Sequence, residues 1–302
     1  MKNAGVSFSE KIRNQAKQAK LNPDFMRNRY VNERILARFA LSKWVDHFCV
    51  KGGMLVPLWN DGDIFRPTAD IDFNGIDEGT SDDVEKMLHD IADMKPVSQG
   101  GTLPYDDGIE IIKDSIKPVY SKHEEEGGKF GAEVMLGKSR IPLRVDVGFG
   151  NPVIPALQES EYPCLFENDK KTPLPRPKFK HYPPETTLAE KLHATTQFGL
   201  FNSRIRDYYD MYVLLSRDDI ETEVLAEAIE RSFEKFGREV EWPLEALSDE
   251  FVSMNAGKWK KWNADTSLRD DIPEFSDVVS FIRDKFEPAV LLAIGEGPAP
   301  KM

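Results

Sequence analysis

The run Asp70-Ile71-Asp72-Phe73 alternates acid with apolar side chain, and no other feature constrains the chain as strongly. In a strand, residues i and i+2 share a face. Ile71 and Phe73 then point into a core, and Asp70 and Asp72 stand side by side on the other face. Two like charges at that spacing are costly unless a cation sits between them. A hard divalent ion such as Mg²⁺ takes oxygen ligands, commonly one or two carboxylates together with substrate phosphates. The motif therefore points to metal-assisted phosphoryl or nucleotidyl transfer. By itself an Asp-x-Asp also marks a turn or a solvated sheet edge, so its neighbours carry weight.

Upstream, Phe48-Cys49-Val50-Lys51 reads as a short strand ending in Gly52-Gly53, and Met54-Leu55-Val56 opens a helix. A strand, a glycine pair and a helix start can cradle phosphate with backbone N–H groups. A tight turn needs the same glycines. Downstream, Leu143-Arg144-Val145-Asp146-Val147-Gly148 alternates again and presents Asp146 between inward valines. Asp146 is then either a strand-end residue facing water or the third carboxylate of a metal set with Asp70 and Asp72. Thr68, two residues before Asp70, faces the same side.

A glycine pair, a strand Asp-x-Asp and a later single acid resemble the DNA polymerase β-type nucleotidyltransferase superfamily. Two further segments narrow the likeness: Pro184-Glu185-Thr186-Thr187-Leu188-Ala189-Glu190-Lys191-Leu192-His193-Ala194, and Arg204-Ile205-Arg206-Asp207-Tyr208-Tyr209-Asp210-Met211-Tyr212. With Lys51-Gly52-Gly53 and Arg66-x-Thr68-x-Asp70-x-Asp72 they resemble the AbiEii/AbiGii toxin family, over roughly residues 30–215. That family supplies the toxin half of bacterial abortive-infection (type IV) toxin–antitoxin pairs. The resemblance implies a magnesium-dependent, cytoplasmic nucleotidyltransferase. It implies an NTP donor, a tRNA 3′ end as acceptor, growth arrest as the effect, and an antitoxin encoded alongside. It also implies that Lys191 contacts nucleotide phosphates and that an acid in the last segment serves the reaction; Asp207 is the match, with Asp210 second. The chain departs from the superfamily in the long gap between Gly53 and Asp70, and in Gly53 standing where Ser is usual. The Thr68 hydroxyl is placed to substitute.

The expected architecture is α+β and two-lobed. Residues 1–165 form a mixed β-sheet lobe with flanking helices, 166–183 a Pro-rich connection, and 184–302 an all-helical lobe, with NTP in the cleft. Strands are expected over 47–51, 69–74, 109–113, 116–122, 130–137 and 141–148. Glu124-Glu125-Glu126-Gly127-Gly128 reads as a hairpin turn. Helices are expected over 1–22, 25–46, 82–93, 185–198, 204–215, 221–236, 243–254 and 275–293, with a Gly/Pro tail after 293. In the proposed site Lys51, Arg66 and Lys191 neutralise phosphate charge, Gly52 and Gly53 admit the phosphates, and Asp70, Asp72 and Asp146 hold Mg²⁺.

Composition sets the outer bounds. The 302 residues are 40% hydrophobic and 30% charged, as in a soluble globular protein. No apolar run is long enough to span a bilayer, and no signal pattern opens the chain. Cys49 and Cys164 read as buried thiols. The net charge of −12 argues against a broad nucleic-acid-coating surface. Three basic stretches could still meet RNA: Lys11-Ile12-Arg13 with Lys17 and Lys20; Lys170 to His181; and Lys258-Trp259-Lys260-Lys261-Trp262, where a Trp could stack on a base. Each reads equally as a solvated face or linker. His193 reads as core. The acidic balance favours one alternative, nucleotidylation of a protein or small molecule; a second, a non-catalytic nucleotide-binding module acting through a protein partner, stays open although all three acids are present.

Overall fold

The computed structural model describes residues 3–60, 68–76, 79–119, 127–197, 199–266 and 272–296. Arg66, most of the 124–128 turn and the end of the tail lie outside the described residues. The chain divides into two compact units: residues 1–150 with 159–181, and residues 151–158 with 182–302.

The first unit is a mixed sheet with helices. Its elements are α1 (Ala4–Ala19), α2 (Pro23–Ala40), β1 (Phe48–Lys51), β2 (Asp70–Gly75), α3 (Ser81–Asp93), β3 (Ile109–Pro118), β4 (Gly127–Leu136), β5 (Ser139–Phe149), β6 (Gln158–Glu161) and β7 (Lys178–His181). The strand order is β3-β4-β5-β2-β1-β7-β6. β3, β4 and β5 form an antiparallel meander. β2 runs parallel to β5 and antiparallel to β1. Residues 166–183, expected to be connection, thus also contribute β7, which pairs parallel to β1 through Val50 and His181.

Local chemistry explains most boundaries. Asn3 caps α1, its side chain accepting from the Val6 N–H, and α1 ends at Lys20 in the left-handed region. Asn22 caps α2, and Pro23 supplies the first turn. A capping box between Thr80 and Asp83 opens α3. Residues 109–113 and 116–122 were expected as separate strands. They form one strand, β3, whose register to β4 shifts between Ile112 and Lys117. Inside the irregularity the Ser115 hydroxyl accepts the Glu133 N–H at 2.8 Å. A side chain there replaces a ladder carbonyl, so pairing resumes instead of ending.

β5 buries Ile141, Leu143, Val145 and Val147 on one face and leaves Arg144 and Asp146 on the other. β4 does the same with Phe130, Ala132, Val134 and Leu136 against Lys129 and Gly131. α1, α2 and α3 pack on the apolar face. α2 is clamped there by Arg38, 1% exposed. Its guanidinium donates to both Asp107 oxygens at 3.1 and 2.9 Å, and to the carbonyls of Ile91, Met94 and Ile109. One side chain thus ties α2 to the end of α3 and the start of β3. Such a pair tolerates burial because every donor is used.

The second unit is helical: α4 (Pro184–Thr196), α5 (Ile205–Leu215), α6 (Thr222–Lys235), α7 (Asp249–Thr266) and α8 (Phe275–Ala293). The expected 243–254 helix is instead a 3₁₀ turn, Glu245–Leu247, followed by α7. Trp259 lies inside α7 and is 2% exposed. It stacks on Phe275 at 5.0 Å, and its Nε1 donates to the Pro273 carbonyl. Of the two tryptophans that could stack on a base, burial excludes Trp259. No described helix is long and apolar enough to cross a membrane. Cys49 and Cys164 are both buried and unbridged, and burial pushes the Cys164 thiol up to about 12.

Removing one partner of the Arg38–Asp107 pair strands a buried charge. Asp107→Ala is expected to cost about 3–5 kcal/mol in urea unfolding. The double change Arg38→Met with Asp107→Leu should recover much of that loss.

Candidate active site

The acid-bearing strands meet at the centre of the sheet. Asp72 on β2 pairs directly with Asp146 on β5, and Asp70 pairs with Arg144. Lys51 on β1 pairs with Asp72, and Lys129 on β4 pairs with Asp146. One row across four strands therefore reads Lys51, Asp72, Asp146, Lys129. Ile71 and Phe73 are fully buried beneath it, the alternation the sequence requires. Like charges directly opposite in a ladder destabilise it, so this arrangement is held by something beyond local preference. The flanking cations supply part of the answer. Lys129 Nζ lies 3.8 Å from Asp146, and an Arg144 nitrogen lies 3.9 Å from Asp70.

A pocket of about 240 Å³ opens over this row. Lys51, Asp72, Lys129 and Asp146 line it, together with Gly127, Gly128, Val147 and Gly148. Gly52 closes tightly on it. Its φ is +71°, and a Cβ there would lie 2.1 Å from Asp72 Oδ2. Glycine at 52 is therefore required by both backbone and space. The following helix is a 3₁₀ segment, Gly52–Trp59, and not the α-helix expected; no side chain caps its first turn. Thr68 donates its hydroxyl to the Gly53 carbonyl at 3.3 Å, tying the approach to β2 onto the glycine turn.

No three His, Cys, Asp or Glu side chains among the described residues converge closely enough to cage a metal ion. The donor set still suits a hard cation. Asp72 and Asp146 face each other across the ladder, and Asp70 Oδ1 is buried without a hydrogen-bond partner. Oxygen donors with surplus negative charge are what Mg²⁺ takes.

Arg29 is a residue the sequence reading missed. It is 7% exposed and lines a cavity of about 20 Å³ with Gly53, Met54, Pro57 and Thr68. Glu33 fixes its Nε at 2.7 Å, and its Nη1 has no hydrogen-bond partner among the described residues. A cavity of that volume has room for one water. The available signal was an Arg/Glu pair at i, i+4 within the apolar stripe of α2.

In the second unit Lys191 Nζ lies 2.8 Å from Asp207 and 2.6 Å from Asp210. The three side chains are 11%, 14% and 0% exposed. Lys191, midway along α4, is therefore a largely buried, doubly paired cation. Asp210 is the buried anchor. Asp207 is the more exposed acid and also meets Arg204 at 3.5 Å. His193 is core, as expected: it stacks on Phe236 at 4.4 Å and meets the Phe233 edge at 5.1 Å. Burial and the Arg238 charge push its pKa down to about 4.

The description "Nucleotidyl transferase AbiEii toxin, Type IV TA system" matches residues 34–280. The chain belongs to this family. It is thus a nucleotidyltransferase of a toxin–antitoxin family, which brings an NTP donor and an antitoxin partner with it. Among solved structures it is similar to MenT4, the nucleotidyltransferase toxin Rv2826c of Mycobacterium tuberculosis. The identity is 14% and the TM-score 0.53, over 92% of this chain and 97% of that one. JHP933 of Helicobacter pylori is 12% identical, with a TM-score of 0.46 over 88% and 94% of the two chains. MenT4 supports the AbiEii fold assignment. No curated protein matches the sequence.

Three outcomes follow for this AbiEii-family chain. Gly52→Ala should displace Asp72 and lower NMP transfer about 100-fold, whereas Gly257→Ala, with open space around it, should not. Lys191→Met leaves buried Asp210 uncompensated and should cost about 3–5 kcal/mol in a denaturant melt. The third concerns pH. The unfolded chain protonates His193 near pH 6.5, whereas the folded chain resists until about 4. The stability His193 contributes is intact above pH 6.5 and is lost as pH falls toward 4, with a slope of up to about 1.4 kcal/mol per pH unit. His193→Phe should flatten that part of a stability-versus-pH curve.

Proposed function

We propose that this protein transfers NMP from an NTP to an acceptor hydroxyl, that the acceptor is a tRNA 3′ end, and that growth arrest results. The observation that carries the reading is the direct pairing of Asp72 with Asp146 beside a glycine turn closed on Asp72. Asp70, Asp72 and Asp146 would hold Mg²⁺, and the ion when bound would supply positive charge to offset the charge that develops on the phosphates.

The chain's own groups do the rest. Asp146 takes the proton of the acceptor hydroxyl. The acceptor oxygen bonds to the α-phosphorus, the bond from that phosphorus to its bridging oxygen breaks, and pyrophosphate leaves with the electron pair. Backbone N–H groups of Gly52 and Gly53 receive the phosphates. Lys51 and Arg66 balance their charge, and Thr68 braces the turn. By the family resemblance Lys191 contacts nucleotide phosphate, and the half-buried Asp207 and buried Asp210 hold it in place. The net charge of −12 favours a second reading, in which the acceptor is a protein or small-molecule hydroxyl.

The test is incubation of the protein with Mg²⁺ and each labelled NTP, in total RNA and in total protein. Label is expected in RNA, and Asp72→Asn and Asp146→Asn should each lower it by about 100-fold or more. Label confined to protein would exclude the tRNA acceptor. Growth arrest that survives Asp72→Asn would leave only a binding module.

A further inference from the structure

Neither Lys129 nor Arg144 was given a role by the sequence, yet they share the face that carries the acids. Lys129 stands opposite Asp146, and Arg144 stands opposite Asp70. Their side chains are 44% and 67% exposed. Lys129 lines the 240 Å³ pocket. Its neighbours Gly127 and Gly128 sit where a side chain would collide with the sheet. A Cβ at Gly127 would meet the Val147 carbonyl at 2.4 Å, and one at Gly128 would meet the Phe130 ring at 2.9 Å.

Sheet order gives this flank a direction. The acids occupy β2 and β5, the glycine turn ends β1, and Lys129 rises from β4, on the far side of the acids. Strands lie about 4.8 Å apart, so Lys129 and Lys51 start about 14 Å apart on the sheet. In phosphoryl transfer the attacking and leaving oxygens lie roughly in line. If pyrophosphate departs toward the β1 turn, the acceptor enters from the β5–β4 side. There it meets two cations on a protein of net charge −12. A neutral protein hydroxyl gains nothing from them, whereas a hydroxyl neighbouring a phosphodiester does.

We propose that Lys129 and Arg144 form the acceptor subsite, binding backbone phosphate next to the 3′ hydroxyl of a single-stranded nucleic-acid end. The inference rests on the nucleotidyl-transfer reading and deepens it: the site selects a polyanionic acceptor.

The test uses full-length protein with Lys129→Ala, Arg144→Ala and both together. Kinetics are run with varied RNA at fixed NTP, and then the reverse. Binding of an oligoribonucleotide of about twelve nucleotides is measured separately, without NTP, by fluorescence anisotropy. Each single change should raise the KM for RNA and weaken oligonucleotide binding by about fivefold to tenfold. Each should also lower the salt slope of binding by about one. The KM for NTP should stay within about twofold. Lys113→Ala, an exposed β3 cation paired with Asp93, should change neither constant. Unchanged RNA binding, or a rise in the KM for NTP instead, would overturn the subsite while leaving nucleotidyl transfer intact. Oligonucleotide binding lost in the variants of a wild type that transfers no label would retain the subsite and remove the transfer reading. Transfer to protein alone, insensitive to both changes, would overturn the subsite.

Discussion

Two carboxylates face each other across a pair of parallel strands, and the rest of the first unit is organised around keeping them there. A β2–β5 ladder with Asp72 opposite Asp146 is intrinsically repulsive. It persists because the other face of the same residues is wholly apolar. Ile71, Phe73, Val145 and Val147 are buried, and slipping the register by one residue would bury the acids and expose that core. The hydrophobic face thus enforces an electrostatic arrangement that the open face would not choose. Lys51 and Lys129 at the ends of the row soften the repulsion without cancelling it. Paired carboxylates suit a hard cation, and the flanking lysines and Arg144 suit phosphate.

The remaining buried charges do different work. Arg38 spends its guanidinium on Asp107 and three carbonyls, fixing α2 against the sheet edge. Lys191 is held by Asp207 and Asp210. A lysine held by two acids is fixed in position within the second unit. Asp210, with no exposure, anchors it, and Asp207 keeps some contact with solvent. The i, i+3 spacing of the two acids put both on one helix face, but only packing distinguished their roles.

Much of the fold was legible. Alternation marked β2 and β5, because a half-buried strand writes its faces into the sequence with period two. α4, α5, α6 and α8 of the second unit were legible from their apolar spacing. Three readings failed for identifiable reasons. Trp259 looked like a stacking platform because three lysines surround it, yet its helix face turns into the core. The Ser115 irregularity split β3 on paper, because a side chain standing in for a ladder carbonyl leaves no pattern of period two. The helix expected over 243–254 begins only at Asp249, because residues 245–247 first take a 3₁₀ turn. Arg29, Lys129 and Arg144 were not singled out, since nothing local separates a cation beside the site from any surface cation.

The sequence by itself determined which residues alternate, where the glycines and caps fall, and therefore which acids share a strand face. Those properties depend on backbone geometry over two to four residues, and the chain states them directly. Tertiary structure alone decided that Asp72 meets Asp146, that Gly52 lies against Asp72, and that Lys129 and Arg144 stand on the side opposite the glycine turn. Each depends on strand order and register between segments tens of residues apart, and those are set by burying one shared apolar face.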